Sequence, residues 1–207
     1  MRKFISLILS MIILTNPPYF PFASGSFRVS SPFGSRGVSF HNGIDLVDTS
    51  RITNTYHNAI MAVMPGRVIQ ARQVTDKNNK TWEWGKYVSI LQDDGNTAYY
   101  CHLAKILVKA GDIVEAGDLI GIQGSTGLST GSHLHFELRS QSGNVVKILN
   151  PADYLDIINA VGTTIEWGYD YEAIVMEKCG LEEQTRKYIN DYRYAEDLWR
   201  KIAEHLK

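Results

Sequence analysis

Four of the six histidines stand in short segments whose spacing could gather them at one chemical site. The first segment is Phe40-His41-Asn42-Gly43-Ile44-Asp45-Leu46. Gly43 and the turn-rich stretch before it argue against a helix, and positions four apart on an extended strand point the same way, so His41 and Asp45 share a face. An imidazole and a carboxylate so placed either bind one ion, for which zinc suits the donor types, or hydrogen-bond each other. The second segment runs from Gly124 to Glu137 and reads Gly-Ser-Thr-Gly-Leu-Ser-Thr-Gly-Ser-His-Leu-His-Phe-Glu. Alternation puts His133, His135 and Glu137 on one face of a strand and Leu134, Phe136 and Leu138 on the core face. Adjacent imidazoles cost core packing without structural gain, which favours ligation or proton transfer over a packing role. The glycines before them are no phosphate cradle, because no lysine follows and the next element is a strand.

A third segment, Tyr99-Tyr100-Cys101-His102-Leu103, reads as a strand with Tyr100 and His102 on one face and Cys101 and Leu103 on the other. Cys101 is then a buried packing residue and not a thiol nucleophile. Cys101 and Cys179 make no disulfide framework and no thiolate metal spacing, so any metal site draws on His and carboxylates. His57 and His205 fall in a polar loop and in the last turn of the tail, and both read as surface residues.

Strands must position these groups. Short alternating or apolar runs bounded by glycine turns occur at 59–63, 66–71, 87–91, 98–103, 119–123 and 133–139, which predicts one all-β domain over residues 26–155. The polar insert Thr75 to Lys80 is expected at a hairpin tip. After Pro151 the pattern turns helical: Gly180 stops one helix, and Ala195, Leu198, Trp199, Ile202 and Leu206 recur at helical spacing, so residues 156–207 read as a small helical appendage. At the other end, Met1-Arg2-Lys3 followed by an apolar run to Leu14 is too short for a membrane-spanning helix and fits an export signal over residues 1–25. An uncleaved anchor or an apolar arm packed on the domain are the other readings, so membrane contact is expected only through this segment. A net charge of −1, from 21 basic and 22 acidic residues, supplies no field to hold a nucleic acid.

His-x-x-x-Asp, Tyr-x-His-Leu and the Gly-rich run into His-Leu-His-Phe-Glu together resemble the lysostaphin-type zinc endopeptidases that cut peptidoglycan. The resemblance covers Ser30 to about Tyr154. It includes Ser-Pro-Phe-Gly-x-Arg at Ser31 to Arg36, the Ala62 to Val68 segment, and the glycine-punctuated run Val108 to Gly121. It implies a mostly β fold with a two-layer antiparallel core, of the architecture shared with biotinyl and lipoyl carriers. It also implies one Zn²⁺ per chain, held by His41, Asp45 and His135 with the fourth position left for water, and His102 and His133 as the unligated catalytic pair. His133 is then expected as general base and His102 as stabiliser of the oxyanion. Arg36 holds the loop before His41 or touches substrate, and Tyr100 packs. The implied substrate is the peptide of bacterial peptidoglycan, cut by an exported enzyme of the cell envelope or of a phage.

Two rivals belong to other classes. Some members of that family have lost ligands and regulate other wall hydrolases, but here all five site positions hold the expected residue types. A carrier domain needs a modified lysine at an exposed hairpin tip; Lys105 and Lys109 precede the Gly-Asp turns without suitable flanks, and the five polar site residues would have no purpose.

Overall fold

The structure is a computed structural model that describes residues 20–22, 25–49 and 58–167. His57, His205, Cys179, the apolar run before Leu14 and the expected helices beyond residue 167 lie outside the described residues. Strands β1 to β7 are Gly25–Ser31, Gly34–Ser35, Phe40–His41, Ile44–Asp48, Ala59–Met61, Gly66–Gln73 and Lys86–Gln92. Strands β8 to β14 are Asn96–Cys101, Lys105–Ile106, Ile113–Val114, Leu119–Ile122, Leu134–Ser142, Val145–Leu149 and Thr164–Trp167. Among the described residues, helix is confined to one 3₁₀ turn, Trp82–Trp84, and one α-helix, α1, Pro151–Leu155.

The expected two-layer antiparallel β core is present. A nine-stranded sheet runs β10-β6-β7-β8-β12-β4-β1-β14, with β13 also paired to β12. Over it lies a three-stranded sheet, β5-β11-β9, and a two-stranded ribbon, β2-β3, leads into the site. Alternation on β12 sends Leu134, Phe136 and Leu138 into the space between the layers, where they meet Ile44, Leu46, Ile90 and Tyr100 of the large sheet and Ile60 and Ile120 of the small one. Tyr100 ties the layers together, its hydroxyl accepting a hydrogen bond from Val63 N at 2.9 Å. Packing is therefore its role.

The insert Thr75 to Lys80 lies in the β6–β7 connection, as expected of a hairpin tip, and is folded on itself by side-chain turns at Asp76 and Asn79. α1 begins at Asn150, whose side chain accepts from Ala152 N, and ends where Asp156 turns left-handed at φ 54°. The chain beyond it is not helical at once. Thr164–Trp167 instead adds to the edge of β1, so the β domain extends past the expected boundary at residue 155. The amphipathic signal of the tail begins further on, and the composition change at Pro151 marks only the short α1.

Candidate metal centre

Register on the central strand β12 builds the centre. His135 pairs with Asp45 of β4 on one side and with Cys101 of β8 on the other, which sets an imidazole beside a carboxylate on one face of the sheet. His41 arrives from β3. His41 and Asp45 do not share one strand, as the spacing predicted, because Asn42 and Gly43 break the chain into β3 and β4. They converge nonetheless, since the chain at Gly43 presses directly on β12. A Cβ at Gly43 would lie 2.6 Å from the Phe136 carbonyl oxygen and 2.8 Å from His135 Cε1, so only glycine permits this approach.

The three groups meet at short range. Asp45 Oδ1 lies 2.8 Å from His135 Nδ1 and 3.2 Å from His41 Nε2, and these two nitrogens are 3.1 Å apart. One ligand atom from each residue falls within 4.8 Å of the other two. His41 Nδ1 lies 2.7 Å from the Pro32 carbonyl oxygen, which requires the ring proton there and leaves Nε2 bare toward the cluster. Two imidazole nitrogens and a carboxylate oxygen converging in this way can hold a metal ion.

His135 bonds carboxylates at both nitrogens, Asp45 at Nδ1 and Glu137 Oε1 at 3.0 Å from Nε2. Burial opposes a charge on this ring, but the two carboxylates outweigh it and raise its pKa to about 9. Burial likewise opposes ionisation of Asp45, yet above all the hydrogen bond and charge of His135, with the His41 ring beside it, hold it well below the usual carboxylate range. Glu137 is held low in the same manner by His135 and Arg139. Arg139 Nε donates to Glu137 Oε2 at 2.9 Å, and its guanidinium lies over the rings of both Trp84 and Tyr99, 5.0 and 4.8 Å away. Glu137 was placed on the histidine face by alternation alone; its role as the outer partner of His135 appears only in three dimensions.

The two remaining histidines complete the cluster. His102 and His133 have ring centroids 4.7 Å apart, and His102 lies 5.6 Å from His135. Each donates Nδ1–H to a backbone carbonyl 2.8 Å away, Thr126 for His102 and Gly131 for His133, so each turns Nε2 inward. Burial pushes the His102 pKa down to about 4, partly offset by the Thr126 bond. Tyr100 and His102 do not share a face as predicted: β8 ends at Cys101, and His102 takes φ 64°, which swings its ring out of alternation to the metal side. For the same reason Leu103 joins Tyr100 in the main core, while Cys101, buried as expected, packs with Val74 and Tyr87.

Arg36 bonds the Ser31 hydroxyl and stands 3.6 Å from Asp45 Oδ2, so it both fastens the loop before His41 and adds positive charge at the carboxylate. A separate cavity of about 240 Å³, bounded by Pro65, Arg67, Leu91, Gln92, Ile113 and Glu115, holds none of these residues.

An antiparallel β domain with a two-histidine, one-carboxylate cluster and two free imidazoles above it has the form of a metal-dependent hydrolase. Residues 39–148 match Peptidase family M23, and the chain belongs to that family. Over 139 residues it is 32% identical to a protein called "Uncharacterized metalloprotease" from Buchnera aphidicola subsp. Baizongia pistaciae, covering 64% of this chain and 32% of that one. Over 92 residues it is 34% identical to lysostaphin of Staphylococcus simulans, covering 44% of this chain and 19% of lysostaphin. The solved structure of that antimicrobial peptidase superposes with a TM-score of 0.52 at 26% identity, over 69% of this chain and 54% of the other. The chain thus spans about a third or less of the length of these two curated relatives.

Proposed function

We propose that this chain is a zinc-dependent endopeptidase that hydrolyses peptide bonds in the stems or cross-bridges of bacterial peptidoglycan. The observation that carries the reading is the convergence of His41, Asp45 and His135 beneath the two free imidazoles of His102 and His133. The donor set fits zinc: His41 offers Nε2, Asp45 a carboxylate oxygen and His135 Nδ1, three protein ligands that leave a position open. A zinc ion in this place supplies Lewis acidity toward a scissile carbonyl and a water acidic enough to ionise near neutral pH. Glu137 orients His135 by accepting from its Nε2–H, so that Nδ1 faces the ion.

The two free rings move protons. His133 Nε2 stands 3.6 Å from Asp45 Oδ1, so a proton taken at this nitrogen faces a carboxylate, which suits a general base. His102 turns a bare Nε2 toward the site, and because burial disfavours its imidazolium, a proton it takes up there from the attacking water would pass on readily to the oxyanion or leaving amine. Exposed apolar side chains on the loops entering the site, Val38 and Phe40 before His41 and Leu128 before His133, form flanks on which an extended peptide can lie.

Under the same reading the protein acts in the cell envelope or outside the cell, and residues 1–25 serve as export signal or anchor. Among the described residues no helix is long and apolar enough to cross a membrane. The test pairs metal analysis of the purified chain with digestion of purified walls of several cross-bridge types, with and without chelator. About one zinc per chain and chelator-sensitive release of new amino termini are expected. Folded protein that holds no zinc and cuts no wall would replace this reading with that of a non-catalytic regulator of other wall hydrolases.

A further inference from the structure

We infer that Asn159, which lies beyond the residues matching the family, is a positioning residue for the metal centre, acting on His41 through a single peptide group. The inference rests on the metal reading above. His41 Nδ1 donates to the carbonyl of Pro32 at 2.7 Å. The same peptide unit carries the Phe33 N–H, and this N–H donates to Asn159 Oδ1 at 2.9 Å. A trans peptide is planar with its N–H and C=O directed oppositely, so holding the N–H aims the carbonyl. The next carbonyl, of Phe33, accepts from Asn159 Nδ2 at 2.9 Å, so the side-chain amide binds the Phe33 backbone at both ends as a neighbouring strand would.

Two consequences follow for His41. The Pro32 carbonyl is held where it can accept from Nδ1, which keeps the proton on that nitrogen and leaves Nε2 free for the ion. A carbonyl whose own N–H is bonded is also a stronger acceptor, because hydrogen bonds in series polarise one another. The segment carrying Asn159 is itself anchored: Gly162 N donates to Val29 O and Val29 N to Thr163 O, both at 2.9 Å, on the strand that pairs with β4. Phe33 further packs edge-on against Phe40, the residue before His41, with ring centroids 5.2 Å apart. His41 is therefore oriented from a point 126 residues away from Phe33 in sequence.

The experiment uses the full chain and three forms: wild type, Asn159→Ala, and Ile157→Ala, which trims a side chain on the same segment that packs on the core and does not bond Phe33. Zinc affinity is read by competition with a chromophoric chelator, and the His41 ring protons by histidine-selective ¹⁵N NMR of metal-free protein at one fixed pH. Asn159→Ala is expected to weaken zinc binding about 10-fold or more and to shift His41 from the Nδ1–H form toward a tautomer mixture. Ile157→Ala is expected to lower thermal stability with zinc affinity and the His41 signal kept. Wild-type affinity and an unchanged His41 signal in Asn159→Ala overturn the inference, as do equal losses in Ile157→Ala. Should the wild type hold no zinc, the metal reading fails, while the NMR comparison still decides the role of Asn159.

Discussion

In the metal-free protein His135 keeps its proton until about pH 9 because a carboxylate faces each ring nitrogen. An ion that takes Nδ1 must displace that proton. Zinc affinity is therefore expected to climb with pH up to about 9 and to be accompanied by release of close to one proton at neutral pH; calorimetric titration in buffers of different ionisation enthalpy measures this, and flat affinity between pH 6 and 8 would contradict it. Stability of the metal-free form follows the opposite sense for this ring. Its pKa rises from 6.5 to about 9 on folding, so the ring contributes about 3 kcal/mol below pH 6.5 and loses it as pH rises through 9. His102, lowered to about 4, destabilises the fold as pH falls from about 6.5 toward 4. Substitution separates ligand from proton carrier. His135→Ala should abolish zinc retention, whereas His133→Ala should keep zinc and lose at least 10²-fold in rate; hydrolysis surviving in both would end the proposed mechanism. Glu137→Ala should keep the three ligands and weaken zinc 10- to 100-fold by chelator competition.

Close backbone approach between elements is what brings the ligands together. The β3–β4 corner at Gly43 lies so near β12 that a methyl group meets the Phe136 carbonyl and the His135 ring. Gly43→Ala is expected to destabilise the fold by about 1–3 kcal/mol and to weaken zinc binding more than substitutions of matched stability elsewhere, as thermal melts and chelator competition on one preparation would reveal. A second approach joins the Trp82–Trp84 turn to the glycine-rich loop before His133. There a Cβ at Gly85 would stand 2.4 Å from Gly127 N, and His102 N donates to Trp84 O at 2.9 Å. The loop glycines thus seat the two free imidazoles side by side, a packing role distinct from phosphate binding.

Across the whole β domain, the core reaches back to residues that precede β1. Phe22 is buried, bridges to Ile60 of the small sheet, and stacks with Phe27 at a centroid distance of 5.1 Å, while Phe20 lies 5.3 Å from the same ring. Met61 N donates to Pro21 O at 3.0 Å, so this segment lengthens the edge of β5. A chain starting at residue 25 should be less stable than one starting at residue 19 by about 3 kcal/mol, the order of a buried Phe→Ala change. Denaturant melts of the two forms measure it, and equal midpoints would show that the aromatic contact adds nothing.

Local alternation made the strands legible, and with them the core face of β12 and the presence of histidines at 133 and 135 on its other face. Residue chemistry went as far as a His and carboxylate site, because cysteine spacing left no other ligand type. Tertiary pairing decided the rest. That His135 lies opposite Asp45 depends on register between strands 90 residues apart, and register is set by the packing of both layers together. Alternation misplaced His102 because a left-handed residue at a strand end breaks the period of two, and although histidine enters that region more often than most residues, a single one does not announce it. Alternation put Glu137 on the face of His135, but the bond of Asn159 to the peptide that holds His41 joins groups 126 residues apart, a separation that carries no information about contact. A linear pattern reports which side chains turn inward, and only the closed sheet reports which of them meet.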